Sequence, residues 1–125
     1  MTHDISIIAE SASNHNGLYD NLISLAKASK VSGADFFTFQ VVDEKYFCDK
    51  SYPSRKVVQD VSFSKKQWIN FFRFAKKFNI KLIPCPCDIG SLRFILKKKF
   101  EIIKIHGTDL TNVPFLNLIS KKKLK

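Results

Sequence analysis

The chain has 125 residues, 45% hydrophobic and 13% aromatic, which is enough for one packed domain and too apolar for a disordered polymer. Its net charge of +10 comes from 21 basic against 11 acidic residues, and the excess is almost wholly lysine, with arginine only at Arg55, Arg73 and Arg93. The lysines are spread over the outer faces of several predicted helices and form no single patch, which argues against a nucleic-acid site.

No apolar stretch reaches the length of a membrane span. Cys48, Cys85 and Cys87 make an odd number with no disulfide framework, and Met1 to Asp4 lack the basic start of a secretory signal. A reducing, cytoplasmic setting is the expectation.

Residues 5–10 are a short apolar run of strand length that ends on a carboxylate, Glu10, followed by the small and amide cluster Asn14-His15-Asn16-Gly17. Residues 18–32 place Leu18, Leu22, Leu25, Ala26 and Ser29 on one face at helical spacing, and Gly33 ends that helix. Residues 36–40, FFTFQ, read as a strand buried on both faces. The stretch 41–63 is long and polar, contains Pro53, and reads as a connection.

A second helix starts at Ser64, with Gln67 at the capping-box spacing and a buried stripe of Trp68, Phe71, Phe72, Ala75 and Phe78. A third strand is predicted over 81–84 and a helix over 91–99 with Leu92, Ile95 and Leu96 inward. A fourth strand follows over 101–105, and a further helix begins over 115–121. Strand and helix alternate throughout, the pattern of a parallel sheet built by right-handed crossovers. In such sheets the chemistry gathers where strands end. Glu10, Thr38 to Gln40, Cys85 to Asp88 and Lys104 to Gly107 are those ends, so four strands are expected to deliver polar groups to one rim.

Three blocks, IIAESASNHNG, GADFFTFQ and KIHGTDLTNVPFL, resemble in order and spacing IIAEIGxNHNG, GADAVKFQ and KIxSGDLTNxPLL of the N-acetylneuraminate (sialic acid) synthase family, and the match covers nearly the whole chain. The resemblance implies an α/β fold, here the first four strand–helix units of a partial TIM barrel. It also implies an enzyme that condenses phosphoenolpyruvate with an N-acylated amino sugar such as N-acetylmannosamine, with release of phosphate. A divalent metal, manganese or magnesium, holds the sugar aldehyde in that family, but on histidines of later strands. His15 and His106 are not expected to serve, and a lone histidine in a turn more often hydrogen-bonds its own backbone. Cys85 and Cys87 lack the ligand set of a zinc site.

By the same resemblance Glu10 matches the carboxylate that faces the sugar, or else a structural carboxylate tied to the loop containing Asn14, itself a substrate-binding candidate. Gln40 matches the sugar-side glutamine, or else only orders the rim. Lys104 matches the lysine that binds phosphoenolpyruvate, and a lysine inside EIIKI is poorly explained as mere surface. Asp88 lines the pocket or caps the next helix. Thr38 stands where the family has a lysine, and Gly107 where it has a serine, so Gly107 has only its backbone to offer the phosphate.

Residues 1–125 correspond to the N-terminal portion of such a barrel, without a C-terminal half or antifreeze-like domain. The expectation is a chain inactive alone that forms a homodimer or joins a complementary half barrel through its open strand edges. The alternative is a non-catalytic remnant or interaction module of the same fold.

Overall fold

A computed structural model describes residues 5–122, and every absence stated below refers to those residues. Residues 1–4, read above for a signal segment, and the last three lysine-rich residues, 123–125, lie outside them. Strands β1 (Ile8–Glu10), β2 (Phe36–Val41) and β3 (Leu82–Pro86) form one parallel sheet in chain order. Around it run α1 (Tyr19–Val31), α2 (Glu44–Phe47), α3 (Arg55–Val61), α4 (Lys65–Lys77), α5 (Ile89–Leu96) and α6 (Val113–Ser120), with a 3-10 turn at Gly107–Asp109. No helix is long and apolar enough to cross a membrane.

The sheet has two unlike faces because side chains alternate along a strand. Phe37, Phe39 and Val41 turn toward α1 and α4, where they pack with Leu22, Ala26, Trp68, Phe71 and Ala75, and with Ile95 of α5. Rings meet there edge-on, as Phe39 with Phe71 (5.2 Å, 85°), or stacked, as Phe39 with Trp68 (5.4 Å, 25°). Such pairs add about 0.5–1.5 kcal/mol each beyond the area they bury. Both α1 and α4 therefore lie on one face of the sheet. The register pairs Glu10 with Thr38, Thr38 with Ile83, and Gln40 with Cys85, so these residues share the opposite face.

Helix α4 begins as the sequence predicts, with both bonds of the capping box between Ser64 and Gln67 in place. Trp68, Phe71 and Ala75 are buried, but Phe78 is 47% exposed at the helix end, with the Lys27 ammonium 5.7 Å from its ring. Leu18, expected on the buried face of α1, is instead the exposed residue that precedes it.

Two expectations are corrected. The connection 41–63 holds two short helices: Asp43 caps α2, and the Glu44–Arg55 ion pair (2.5 Å) ties α2 to α3. With Val58 the one buried side chain in the pair, no apolar period announced them. The fourth strand does not form; residues 102–106 have no regular structure and join β3 by one backbone bond, Lys104 N–H to the Pro84 carbonyl (3.0 Å). The reason lies in β3. Phe37 N–H donates to Lys81 and Cys87 N–H to Val41, so odd-numbered β3 residues face β2 and even-numbered ones face outward. Pro84 and Pro86 are even-numbered and have no N–H, so the outer edge of β3 mostly accepts and a regular ladder cannot be built on it.

The loop after β1 depends on Gly17. Its φ is +76°, and a Cβ there would sit 1.9 Å from the Asp60 carbonyl oxygen of α3. Gly33 has a similar φ of +83° with nothing within 4 Å. Gly17→Ala is therefore expected to cost about 2–4 kcal/mol, strain plus a steric clash, whereas Gly33→Ala costs about 1–2 kcal/mol. Urea unfolding of the two variants checks this, and equal losses would show that the loop does not need the close approach to α3.

Candidate functional site

Glu10, at the end of β1, and Lys104, in the segment bonded to the outer edge of β3, are brought together: Nζ donates to Oε1 at 2.5 Å. Their elements flank the sheet on opposite sides. Three strand spacings amount to about 14 Å in a flat sheet, so the side chains meet only because the sheet curls toward them. The pair thus bridges a concave face whose floor includes Thr38, Ile83 and Cys85, all buried. Thr38 is 2% exposed and its hydroxyl has no partner.

Gln40 lies on the same face nearer the rim, and its Oε1 accepts from Ser13 Oγ at 2.7 Å. The β1–α1 loop is fastened to β2 by further bonds, Ser11 N–H to the Thr38 carbonyl (3.0 Å) and Gln40 N–H to the Ala12 carbonyl (3.2 Å). Ala12 takes a left-handed φ of +47°, an uncommon cost for a residue with a Cβ, and strain of this kind gathers at functional loops. Asn14 is exposed in this loop, its backbone N–H bonded to Ser11. His15 is buried against Phe63, and its Nδ1 accepts from Gly17 N–H (3.1 Å); burial holds its pKa below the usual histidine value. That bond to the loop backbone is the role expected of it.

A cleft of about 200 Å³ opens beside these groups, lined by Ser13, Gln40, Cys87, His106 and Thr108 together with Phe47 of α2. His106 Nδ1 lies 2.8 Å from Thr108 Oγ1. Gly107 starts the 3-10 turn with open space around it and without a positive φ, so glycine is not demanded there by sterics. A larger cavity, about 670 Å³, lies at the opposite end of the strands among Lys76, Lys81, Lys98 and Lys99, remote from Glu10.

Asp88 is placed as a cap. Oδ1 accepts from Ser91 N–H (2.7 Å), and Oδ2 accepts from Ser91 Oγ (2.6 Å) and from Asp43 N–H (2.8 Å), tying α5 to the chain leaving β2. Of the two readings of Asp88, these bonds realise the cap and occupy both oxygens. Two residues were missed. Ser13 shows no distinctive spacing in the sequence. Asp109 is buried with Oδ1 holding Asn112 (2.9 Å) and Oδ2 unpartnered; the signal was the Asp-x-x-Asn spacing inside GTDLTN.

The α/β fold is shared with a solved structure: the N-acetylneuraminic acid (sialic acid) synthetase from Leptospira borgpetersenii superposes with a TM-score of 0.85 at 23% identity, over 95% of this chain and 42% of that one. Residues 24–125 match the model of the NeuB family, and the chain belongs to that family. The N,N'-diacetyllegionaminic acid synthase of Campylobacter jejuni is 30% identical over 133 residues, covering 95% of this chain and 40% of its own length. The N-acetylneuraminate-9-phosphate synthase of Drosophila melanogaster is 26% identical over 131 residues, 93% of this chain and 35% of its own. The chain thus spans roughly two fifths or less of these proteins.

Burial is the leading influence on Asp88 and raises its carboxyl pKa, although the donors around it pull the other way. The folded chain keeps that proton to higher pH than the unfolded one, whose carboxyl titrates near about 3.9. Asp88 therefore subtracts stability as pH rises from the ordinary carboxylate range through its own raised value. Urea midpoints followed from about pH 4 to about pH 7 should fall less, or rise more, in Asp88→Asn than in the native chain. Parallel curves would remove Asp88 from the pH dependence.

Proposed function

We propose that this chain carries the substrate-facing residues of a sialic acid synthase-type site, on the first units of a TIM barrel spanning residues 1–125. The reaction is condensation of phosphoenolpyruvate with an N-acylated amino sugar such as N-acetylmannosamine, giving a nine-carbon acid and phosphate. The names of the relatives support the reaction class. Placement of α1 and α4 on one face of a curled parallel sheet supports the barrel reading, because a barrel is wound on one side only. The observation that carries the proposal is the Glu10–Lys104 pair across the concave face.

The chemistry follows from what each group has to give. Lys104 has three N–H donors and spends one on Glu10, leaving two for the carboxylate or phosphate of phosphoenolpyruvate. Glu10 accepts from a sugar hydroxyl or amide, and the Lys104 charge beside it keeps the two substrates adjacent. Gln40, with its carbonyl oxygen held by Ser13, turns its amide NH2 to the sugar. Asn14 and the Gly107 backbone border the same rim. Asp88 acts from behind, by fixing the start of α5. The divalent metal that the resemblance implies would polarise the sugar aldehyde. No group of three His, Cys, Asp or Glu side chains converges among the described residues, and both described histidines are tied to neighbouring loop atoms, so no donor set here fits it.

Ile7 and Ile8 are more than half exposed at the free edge of the sheet, which favours pairing with a second copy or a complementary half barrel. The free thiols accord with a reducing, cytoplasmic setting. Without a complementary half the chain is expected to give no phosphate from phosphoenolpyruvate, N-acetylmannosamine and manganese, and turnover by isolated chain would contradict this.

Titration calorimetry with phosphoenolpyruvate should show binding that Lys104→Ala weakens at least tenfold, in line with about 1.5–3 kcal/mol for a hydrogen bond to a charged group. The same variant should change unfolding stability by no more than about 1 kcal/mol, since both partners are well exposed. Absence of any binding by the native chain would favour the non-catalytic remnant, a reading to which Thr38 at the family's lysine position lends weight.

A further inference from the structure

Lysines that are scattered along the chain are gathered by the fold. Parallel pairing requires each intervening helix to run back along the sheet, so the C-terminal ends of α1, α4 and α5 lie together at the end where the strands begin. Lys30 is in the last turn of α1, Lys76 is in the last turn of α4, and Lys98 and Lys99 follow α5. Each is favoured by the negative end of its own helix, and three such ends side by side make one basic face.

The cavity of about 670 Å³ at this end has an apolar floor, on which Phe72 and Phe100 meet edge-on (5.1 Å, 86°) beside Phe36 and Ile102. A second cavity of about 210 Å³ shares Phe36, Asn79, Ile80 and Lys81 with it and continues to Lys30 and Gly33. Together they form a groove across the ends of α5, α4 and α1. Lys30, Lys76, Lys81, Lys98 and Lys99 border it against two acids, Asp35 and Glu101, and the Asp35 carboxylate already accepts from Ile7 N–H at 2.8 Å. None of the five lysines enters an ion pair among the described residues. Lys81 Nζ instead lies 5.5 Å from the centre of the Phe36 ring.

We propose that this groove is a docking site for an acidic segment of another protein, one that carries aromatic or aliphatic side chains between its carboxylates. The proposal rests on charge complementarity above an apolar floor, and it is independent of the synthase-type site at the other end of the strands.

The carboxylates of such a segment meet the uncompensated lysines at the rim, and its apolar side chains fill the floor, where displacement of water strengthens each nearby charge pair. The length of the groove suits a chain laid along it better than a compact metabolite. Other macromolecules match it less well. A second copy brings the same charge of +10 and is repelled. A membrane surface takes apolar groups that protrude, whereas Phe36, Phe72 and Phe100 line a hollow. A phosphate backbone would satisfy the lysines and leave the floor uncovered.

The test uses the full chain and a fluorescein-labelled peptide, EDFEDLFEE, followed by fluorescence anisotropy at low salt. Saturable binding is expected, weakened at least about tenfold in the double variant Lys81→Glu/Lys99→Glu. Lys50→Glu/Lys66→Glu loses the same net charge at sites away from the groove and should stay within about twofold of the native affinity. All four lysines are exposed, so neither double variant disturbs the core. The peptide EDSEDSSEE, which keeps every carboxylate and lacks the apolar side chains, should bind at least about tenfold more weakly to the native chain. Equal losses in the two double variants, equal affinity for the serine peptide, or no saturable binding would overturn the proposal. So would tighter binding, through Lys81 and Lys99, to phosphatidylserine vesicles or to a thymidine oligonucleotide, which would reassign the groove to a membrane or to a nucleic acid.

Discussion

β2 is the strand on which the rest of the molecule depends, because it is buried on both faces and each face asks for something different. Phe37, Phe39 and Val41 fill the layer beneath α1 and α4, and the residues between them, Thr38 and Gln40, are turned to the other side. Each large side chain withdrawn from water there contributes about 1.5–3 kcal/mol. The helices follow this apolar stripe onto one face. What is left on the concave face is set by strand alternation: Glu10, Thr38, Gln40 and Cys85, with Ile83 among them. The loop after β1 completes the rim by bonding directly to β2.

Against that aromatic layer the Glu10–Lys104 pair is energetically minor. With side chains 49% and 37% exposed, it sits among pairs worth about 0–1 kcal/mol. It does not hold the sheet in shape; the packed layer does, and the pair records the curvature that results. On the function proposed above, an anion that shares or replaces Glu10 at Lys104 would give up little, so most of its interaction with the ammonium would appear as affinity. The unpartnered Thr38 hydroxyl and Asp109 oxygen on neighbouring elements are further polar groups left without protein partners.

Local signals in the sequence carried well where one short segment decides the outcome. The Ser64–Gln67 capping box, the Gly33 stop and the two-sided burial of β2 are of this kind, since each depends on residues within a few positions. Two kinds of feature were not legible. Helices α2 and α3 bury only Val58, so their pattern is polar, and their order comes from Asp43 and from the Arg55–Glu44 contact across the connection. The fourth strand had the right residues, but pairing depends on its neighbour, and Pro84 and Pro86 deny it donors on that edge. The site divides in the same way. The resemblance brought Glu10, Gln40 and Lys104 to attention separately; that Glu10 and Lys104 touch, 94 residues apart in sequence, is decided by sheet curvature. Asp88 was legible as a cap because its partner Ser91 lies three residues on.

The central claim is that the concave face, and not the lysine-rich opposite end, is where an anionic substrate is recognised. Amide NMR spectra recorded during addition of phosphoenolpyruvate address it residue by residue. The account predicts that the largest shifts fall on Glu10, Thr38, Gln40, Cys85 and Lys104. Shifts confined to Lys76, Lys81, Lys98 and Lys99, or spread evenly over the exposed lysines, would contradict it.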